Sequence, residues 1–232
     1  MEKQRFLITG GSQGIGAALV ELARGDGHDV VFTGRNQGAL IDKVQSTTGA
    51  HGIRADVSNG DDNQRTVDTC LEVMDGIDVL VNNAGFGYLG ELGQIEISQM
   101  KTLFDTNVFG LVDIGNRVVP LLKAQQSGAI INIASTSGTK GAKGQTVYAG
   151  SKWAVRGITQ CWQAELRPHG IRVTSICPSE VQTDWMGKTG RNNPNKLYAS
   201  DIAETIMAAL KMPARALWVE LAIFANNPWK ED

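Results

Sequence analysis

The chain has 232 residues, of which 42% are hydrophobic and 20% are charged, and its formal net charge is −2. This length is sufficient for one large domain with a hydrophobic core. The near-neutral charge argues against nucleic acid or a membrane surface as the main partner, because neither would attract the chain electrostatically. The N-terminal Met-Glu-Lys-Gln-Arg is followed by no long apolar region. We therefore expect no signal peptide, no membrane span and a cytoplasmic location.

Cysteine and histidine residues are few and scattered. Cys70, Cys161 and Cys177 show no paired spacing, and we expect them to be small buried hydrophobic residues in a reducing compartment. The three histidines form no cluster with ligand spacing. The sequence therefore predicts no metal site.

Apolar runs typical of buried strands alternate with amphipathic helical stretches. The predicted strands are Arg5–Thr9, Asp29–Thr33, Gly52–Ala55, Asp78–Asn82, Ala129–Ala134, Arg172–Cys177 and Leu217–Phe224. The predicted helices are Gly14–Arg24, Gln37–Gln45, Gly60–Met74, Ser98–Ala124, Tyr148–Arg167 and Ser200–Lys211. Continuous Val, Ile and Leu runs between helices predict a parallel sheet covered on both faces. The sequence thus predicts a single doubly wound, Rossmann-type α/β domain over residues 1–232, with about seven strands.

The first predicted strand ends in a glycine-rich turn, Thr9-Gly-Gly-Ser-Gln-Gly-Ile-Gly16, which leads directly into a helix. Small residues let the backbone turn and approach a pyrophosphate, which then lies against the helix N-terminus. Such a turn could also serve only to end the strand, but its place between a strand and a helix favours nucleotide binding. The candidate binding residues are Gly10, Ser12, Gln13, Gly14, Ile15 and Gly16.

The end of the second predicted strand carries Gly34, Arg35 and Asn36. Sites that hold an unphosphorylated ribose usually place a carboxylate here, which accepts from the 2′-hydroxyl. An arginine guanidinium suits a 2′-phosphate instead, although Arg35 could also be a solvated side chain in a turn. The sequence therefore favours NADP over NAD, with Arg35 and Asn36 as candidate contacts.

Further candidates follow the third and fourth predicted strands. Asp56, followed by Val57, could place a carboxylate near the adenine amine, or could equally cap a helix or a turn. The fourth strand ends in Asn82-Asn83-Ala84-Gly85. Small residues at the carboxyl end of a strand fit a cofactor that lies across the sheet, so Asn83, Ala84 and Gly85 join the candidate contacts.

Tyr148 and Lys152 lie four positions apart on a predicted helix, so their side chains share one face. A phenol with an ordinary pKa of ~10 is a poor acid or base at neutral pH. A nearby lysine ammonium favours the phenolate and lowers that pKa, which would allow proton exchange with an alcohol or a ketone. The apolar positions of the same helix predict a second, buried face. Its members are Trp153, Ala154, Gly157, Ile158, Cys161 and Trp162.

The order and spacing of these motifs resemble the short-chain dehydrogenase/reductase family, from Thr9 to about Thr183. The matching positions are Thr9-Gly-xxx-Gly-Ile-Gly16, Asp56, Asn82-Asn-Ala-Gly85, Asn107, Ser135, Tyr148-xxx-Lys152, Pro178 and Thr183. The resemblance implies hydride transfer between a nicotinamide cofactor and a carbonyl or alcohol carbon. The sequence departs from the family pattern at two positions. These are Ala134, where a second serine is frequent, and Ser179, where glycine is usual.

The resemblance also implies roles for individual residues. Tyr148 would donate a proton to the nascent alkoxide, and Ser135 would hydrogen-bond the substrate oxygen. Lys152 would bind the nicotinamide ribose and lower the pKa of Tyr148. Asn107, inside the predicted helix Ser98–Ala124, would hold a water molecule of a proton relay. The remaining implied cofactor contacts are Pro178, Val181 and Thr183, together with Tyr148 and Lys152 themselves.

Substrate choice would depend on loops near residues 86–92 and 136–146, and on a substrate loop around 182–197. Lys140 and Lys143 could attract an anionic substrate or could simply be solvated. The substrate itself, beyond a small carbonyl or alcohol compound, is not indicated. By resemblance we expect a homodimer or homotetramer built from the long helices. The alternative function is a catalytically silent nucleotide sensor or scaffold, which is expected to lose the tyrosine or the lysine.

Overall fold

Nine strands lie within residues 2–183 and 193–227, the part of the chain that the computed structural model describes. They are β1 (Arg5–Ile8), β2 (Asp29–Gly34), β3 (Ala50–Arg54), β4 (Val79–Asn82), β5 (Gly128–Ile133), β6 (Ile171–Pro178), β7 (Val181–Gln182), β8 (Leu197–Tyr198) and β9 (Glu220–Ile223). Seven of them form one sheet in the order β3-β2-β1-β4-β5-β6-β9, and β7 pairs with β8. Every pairing in the large sheet is parallel. The predicted doubly wound α/β fold is therefore confirmed.

Helices cover both faces of this sheet. They are α1 (Gly14–Gly25), α2 (Gln37–Ser46), α3 (Gly60–Met74), α4 (Ile97–Phe104), α5 (Leu111–Gln125), α6 (Thr146–Leu166) and α7 (Ala199–Leu210). Alternate strand residues point to opposite faces, so Phe6 and Ile8 pack with α1 and α7, whereas Leu7 packs with α3 and α5. Both faces of β1 are fully buried, which explains its uninterrupted apolar sequence.

The predicted single helix Ser98–Ala124 is wrong in its middle. A π-helical segment, Asp105–Gly110, separates α4 from α5. Gly110 lies so close to the chain after β3 that a Cβ atom there would be 2.5 Å from the Val57 carbonyl oxygen. Such wide turns are rare and often occur at functional sites, and Asn107 lies inside this one.

The predicted buried face of α6 is wrong in part. Ile158 and Trp162 are partly buried against the core, but three other members of that face are exposed. Trp153 is 51% exposed, and Gly157 and Cys161 are exposed as well, so the expectation of three buried cysteines fails at Cys161. The face that packs on the sheet instead includes Thr159 and Gln163, both buried. These two polar side chains have hydrogen-bond partners on the sheet, and hydropathy cannot recognise a polar face of this kind.

The remaining expectations about the fold concern the C-terminal third and the membrane. The last strand of the sheet, Glu220–Ile223, is shorter than the predicted Leu217–Phe224. In the predicted substrate loop, Trp185, Met186, Lys188 and Arg191 lie outside the described residues. Among residues 2–183 and 193–227, no helix has the length and apolar character needed to cross a membrane.

Candidate active site

The candidate residues gather at one edge of the sheet. All the large-sheet strands run parallel, so the glycine turn after β1, Arg35 after β2, Asp56 after β3 and Ser135 after β5 lie at the same carboxyl edge. The strand order reverses direction between β1 and β4. Ligands of open α/β sheets bind in the crevice at such a reversal.

The glycine turn between β1 and α1 has no room for a side chain at Gly10 or Gly16. Gly10 has a φ of +64°, and a Cβ atom there would lie 2.9 Å from the Ala84 Cα. A Cβ atom at Gly16 would lie 2.3 Å from the Gly10 carbonyl oxygen. These contacts explain why the turn requires glycine at both positions.

Hydrogen bonds fix this turn to the chain that follows β4. The Asn83 side-chain amide donates to the carbonyl oxygens of Thr9 and Gly10, each at 3.0 Å. In return, the Thr9 hydroxyl oxygen accepts from the backbone N–H groups of Asn83 and Ala84, each at 3.1 Å. The two walls of the crevice therefore form one rigid unit, and Asn83 has a structural role in addition to the predicted cofactor contact.

The N-terminus of α1 faces this crevice and can bind an anion. Its N-cap residue, Gln13, makes no side-chain capping bond, and the first turn contains no acidic residue. Unpaired N–H groups and the helix dipole favour a negatively charged group at this position. Ser12 and Ile15 flank the turn, half-buried. The turn and the helix N-terminus together fit the pyrophosphate of a dinucleotide.

Arg35 is held in place by two residues from other elements. Its guanidinium lies 3.6 Å from the Asp56 carboxylate and 5.8 Å from the centre of the Phe86 ring. Asp56 also accepts from the Ser58 backbone N–H at 3.0 Å, so the turn role left open for Asp56 is present alongside the ion pair. Asn36, also predicted as a cofactor contact, caps α2 by accepting from the Ala39 N–H at 3.1 Å.

The fold brings Ser135 and Tyr148 together, close enough for the Ser135 hydroxyl to influence the pKa of the Tyr148 phenol. Ser135 is buried, and its hydroxyl oxygen also accepts from the Ser137 N–H at 3.1 Å. Burial raises the pKa of Tyr148 above its ordinary value, and the nearby Ser135 hydroxyl offsets part of this rise. The expected lowering of the Tyr148 pKa is therefore wrong for the free protein.

Burial is the larger cause of this rise, and Lys152 is engaged by another group. Its ammonium group lies 5.8 Å from the centre of the Tyr148 ring and donates to the Ile133 carbonyl oxygen at 2.8 Å. The lysine side chain is buried, and this desolvation lowers its own pKa to about 8. Proton exchange near neutral pH is therefore open to the lysine itself.

Asn107 joins three elements of the site. Its side-chain carbonyl accepts from the Phe86 N–H at 3.0 Å, and its amide donates to the Phe86 carbonyl oxygen at 2.9 Å. The amide also reaches the Ser151 hydroxyl at 3.3 Å. Gly85 leaves the necessary space, since a Cβ atom there would lie 3.0 Å from the Asn107 side-chain oxygen. These bonds engage the Asn107 side chain with protein groups, and the predicted relay role of Asn107 stays a prediction.

A buried polar chain under the site was missed by sequence reasoning. The Asn82 amide donates to the Asn132 side-chain oxygen at 2.8 Å, and the Asn132 amide donates to the Thr159 hydroxyl at 2.9 Å. This chain connects β4 and β5 to α6. Asn132 interrupts an apolar run of β5, and that interruption was the available signal.

The other predicted residues are dispersed around the crevice. Pro178 ends β6, and Val181 belongs to β7. Thr183 lies near the glycine turn, because a Cβ atom at Gly14 would be 3.3 Å from its methyl group. Val57 is buried beside Asp56.

Lys143 pairs with Glu91 at 3.1 Å while remaining exposed, and Lys140 is exposed too. Lys196, at the end of the predicted substrate loop, pairs with Glu180 at 2.9 Å.

Comparison with known proteins assigns this architecture to a family. A family model described as short chain dehydrogenase matches residues 4–194. An uncharacterized oxidoreductase of Staphylococcus saprophyticus is 36% identical over 213 residues, which cover 90% of this chain and 91% of that protein. Another, from Staphylococcus epidermidis, is 34% identical over 221 residues, covering 94% and 95% of the two chains.

Solved structures show the same fold. An alcohol dehydrogenase from Thermococcus sibiricus, complexed with 5-hydroxy-NADP, is similar with a TM-score of 0.91 at 24% identity and covers 100% of both chains. The closed form of a serine dehydrogenase, complexed with NADP+, has a TM-score of 0.87 at 27% identity and covers 94% of this chain and 93% of that one. The chain belongs to the short-chain dehydrogenase family. It is accordingly an NAD(P)-dependent oxidoreductase.

Proposed function

We propose that this protein is an NADP-dependent carbonyl reductase or alcohol dehydrogenase in which Tyr148 is the general acid and base. The observation that carries the proposal is the juxtaposition of Tyr148 with the buried Ser135, beside the crevice at the β1–β4 reversal. A bound nicotinamide cofactor would supply the hydride that is exchanged with the substrate carbon. The chain supplies the rest, which is orientation and proton transfer.

The proposed division of labour follows the positions of the side chains. In the reduction direction, Tyr148 donates its proton to the alkoxide, and Ser135 stabilises the developing charge on the substrate oxygen. Lys152 holds the ribose hydroxyls of the cofactor with ammonium protons that the Ile133 carbonyl does not use. Gly10, Gly14, Gly16, the N-terminus of α1 and Ala84 would surround the pyrophosphate and adjoining ribose.

We infer NADP rather than NAD from the electrostatics at Arg35. Its ion pair with Asp56 is exposed on both sides, with 58% and 36% of the two side chains accessible. Such a pair is weak, so a 2′-phosphate with its higher charge would replace Asp56 as the preferred partner. The serine dehydrogenase with the same fold is complexed with NADP+, which is in keeping with this choice.

The test of the reaction is Tyr148→Phe, assayed by loss of NADPH absorbance on a panel of carbonyl compounds. The variant should lose turnover and keep its NADPH affinity, because only the proton donor is removed. Retained turnover would remove Tyr148 from the mechanism. Wild-type protein that binds NADPH and reduces none of the compounds would favour the sensor or scaffold.

We also propose a homodimer or homotetramer that uses the exposed face of α6. Trp153 and Phe109 are 51% and 62% exposed, and Gly157 has nothing within 4 Å of the position of a Cβ atom. Gly157→Glu is therefore compatible with the single chain but would obstruct a partner helix. Light scattering should show a smaller particle than the wild type, with unchanged circular dichroism. An unchanged particle size would exclude this face as the interface.

A further inference from the structure

An arginine on α6, Arg156, connects this helix to the edge of the sheet. It lies one helical turn after Lys152. Its guanidinium makes two parallel bonds to the Glu220 carboxylate on β9, at 2.7 and 2.8 Å. The two side chains are only 17% and 30% exposed. Bidentate, partly buried pairs of this kind are geometrically specific as well as strong.

The same guanidinium also holds the turn that follows Ser135. Residues Thr136–Gly138 form a single 3₁₀ turn, which we call the serine turn. Its last carbonyl, that of Gly138, accepts a hydrogen bond from Arg156. The serine turn is pressed against the helix at this point, because a Cβ atom at Gly138 would be 2.8 Å from the Lys152 carbonyl oxygen and 2.9 Å from the Arg156 Cδ.

The serine turn in turn orients the Ser135 hydroxyl. The Ser137 N–H donates to the Ser135 hydroxyl oxygen at 3.1 Å, and the Gly138 N–H donates to the Ser135 carbonyl oxygen at 2.9 Å. A continuous set of contacts therefore runs from Glu220 through Arg156 and Gly138 to Ser135. The last group of this set is the Ser135 hydroxyl, which lies beside Tyr148.

We infer that Arg156, anchored by Glu220, is a positioning residue that fixes the serine turn and thereby the Ser135 hydroxyl relative to Tyr148. The inference rests on the proposed function for its kinetic consequence. Its structural part concerns the free protein and can be tested without turnover. Arg156 contacts the serine turn at Gly138, so its effect on Ser135 and Tyr148 passes through that turn.

Arg5 at the opposite end of the sheet provides a matched control. It pairs with Asp78 through two side-chain bonds, at 2.9 and 2.6 Å, and donates to the Asp75 carbonyl oxygen. The exposures of the two side chains, 26% and 24%, are close to those of the Arg156–Glu220 pair. Arg5→Gln and Arg156→Gln therefore each leave one carboxylate without its arginine, but only the second change touches the serine turn.

The first measurement is amide hydrogen exchange in the free protein. Arg156→Gln should accelerate exchange at Ser137 and Gly138 by about tenfold or more, as expected when a local opening becomes easier. Arg5→Gln should leave both amides unchanged, and Arg156→Lys should recover part of the protection because it keeps the charge and one donor. Unchanged exchange at Ser137 and Gly138 in Arg156→Gln would overturn the inference, whatever the outcome of the activity assays.

The second measurement separates kcat from cofactor binding. Arg156→Gln should lower kcat by roughly 10- to 100-fold, the scale associated with small misplacements of reacting groups, while the Kd for NADPH changes less than about twofold. Gly138→Ala should reproduce this effect by pushing the serine turn off the helix, and it remains available if Arg156→Gln does not fold. A folded Arg156→Gln protein could instead keep a wild-type kcat and lose the same free energy of unfolding as Arg5→Gln. Arg156 would then be merely structural. Absence of turnover in the wild type would instead refute the proposed function and leave the exchange result standing.

Discussion

The cofactor preference can be tested by removing a single side chain, with Arg35→Ala. In the free protein this guanidinium faces the Asp56 carboxylate at 3.6 Å and the Phe86 ring at 5.8 Å. In the proposed complex it binds the 2′-phosphate of NADPH. The change therefore removes a ligand contact from the complex, and weaker contacts from the free protein.

The expected magnitude is the difference between these contributions. A hydrogen bond to a charged group contributes about 1.5–3 kcal/mol. The exposed ion pair contributes about 0–1 kcal/mol, and an exposed cation–π contact about 0.5–1 kcal/mol. Since Arg35 gives up part of these contacts to bind the phosphate, we expect a net loss of about 1–2 kcal/mol. At about 1.4 kcal/mol per tenfold change, the Kd for NADPH should rise roughly 5- to 30-fold.

The assay is a fluorescence titration of wild type and variant with NADPH and with NADH, at low and moderate salt. NADH lacks the 2′-phosphate, so its affinity should hardly change, and added salt should reduce the difference for NADPH. Arg65→Ala is the control, because Arg65 is 53% exposed and pairs with Asp62 at 2.7 Å. An equal loss for NADPH and NADH, or none for NADPH, would refute the phosphate-specific role of Arg35.

Two other predictions concern the cofactor turn and acid stability. Gly16→Ala places a Cβ atom 2.3 Å from a carbonyl oxygen and should weaken NADPH binding at least tenfold in the same titration, whereas Gly25→Ala, with nothing within 4 Å, should not. His28 is buried, its Nε2 has no partner, and burial lowers its pKa from 6.5. Below pH 6.5 the unfolded chain therefore binds more protons than the folded chain. The free energy of unfolding should fall as the pH drops through this value. His28→Asn should flatten this part of the pH dependence in urea unfolding curves, and an unchanged slope would exclude His28 as its source.

The strands were predictable because both faces of a parallel sheet are buried. Leu7 contacts one layer of helices and Phe6 the other, so the sequence of β1 has no polar alternation and reads as a continuous apolar run. The π-helical segment Asp105–Gly110 was not predictable, since the apolar spacing continues through it and its close neighbour, Val57, comes from a distant part of the chain.

The site was predictable where chemistry is local in sequence. The glycine turn and the Tyr148–Lys152 pair each lie within one short segment, so spacing alone brings their groups together. Contacts between distant segments carried no such signal. Asn107 and Phe86 are 21 positions apart, and Arg156 and Glu220 are 64 apart. The pKa of Tyr148 was mispredicted for the same reason, because burial and the Ile133 carbonyl that engages Lys152 depend on the tertiary structure.

The way α6 is attached to the sheet bears on catalysis. On its sheet-facing side, Thr159 meets Asn132, and Gln163 donates to the carbonyl oxygens of Val173 and Val219 at 3.0 and 2.8 Å. Each of these bonds has a fixed partner, so a shift of the helix by one residue would unpair all of them at a cost of about 1–3 kcal/mol for each buried group. Apolar packing alone would tolerate such a shift more easily. The polar face of α6 therefore fixes its register. This register sets the positions of Tyr148 and Lys152, which in the proposed reaction must be held with the precision that proton and hydride transfer require.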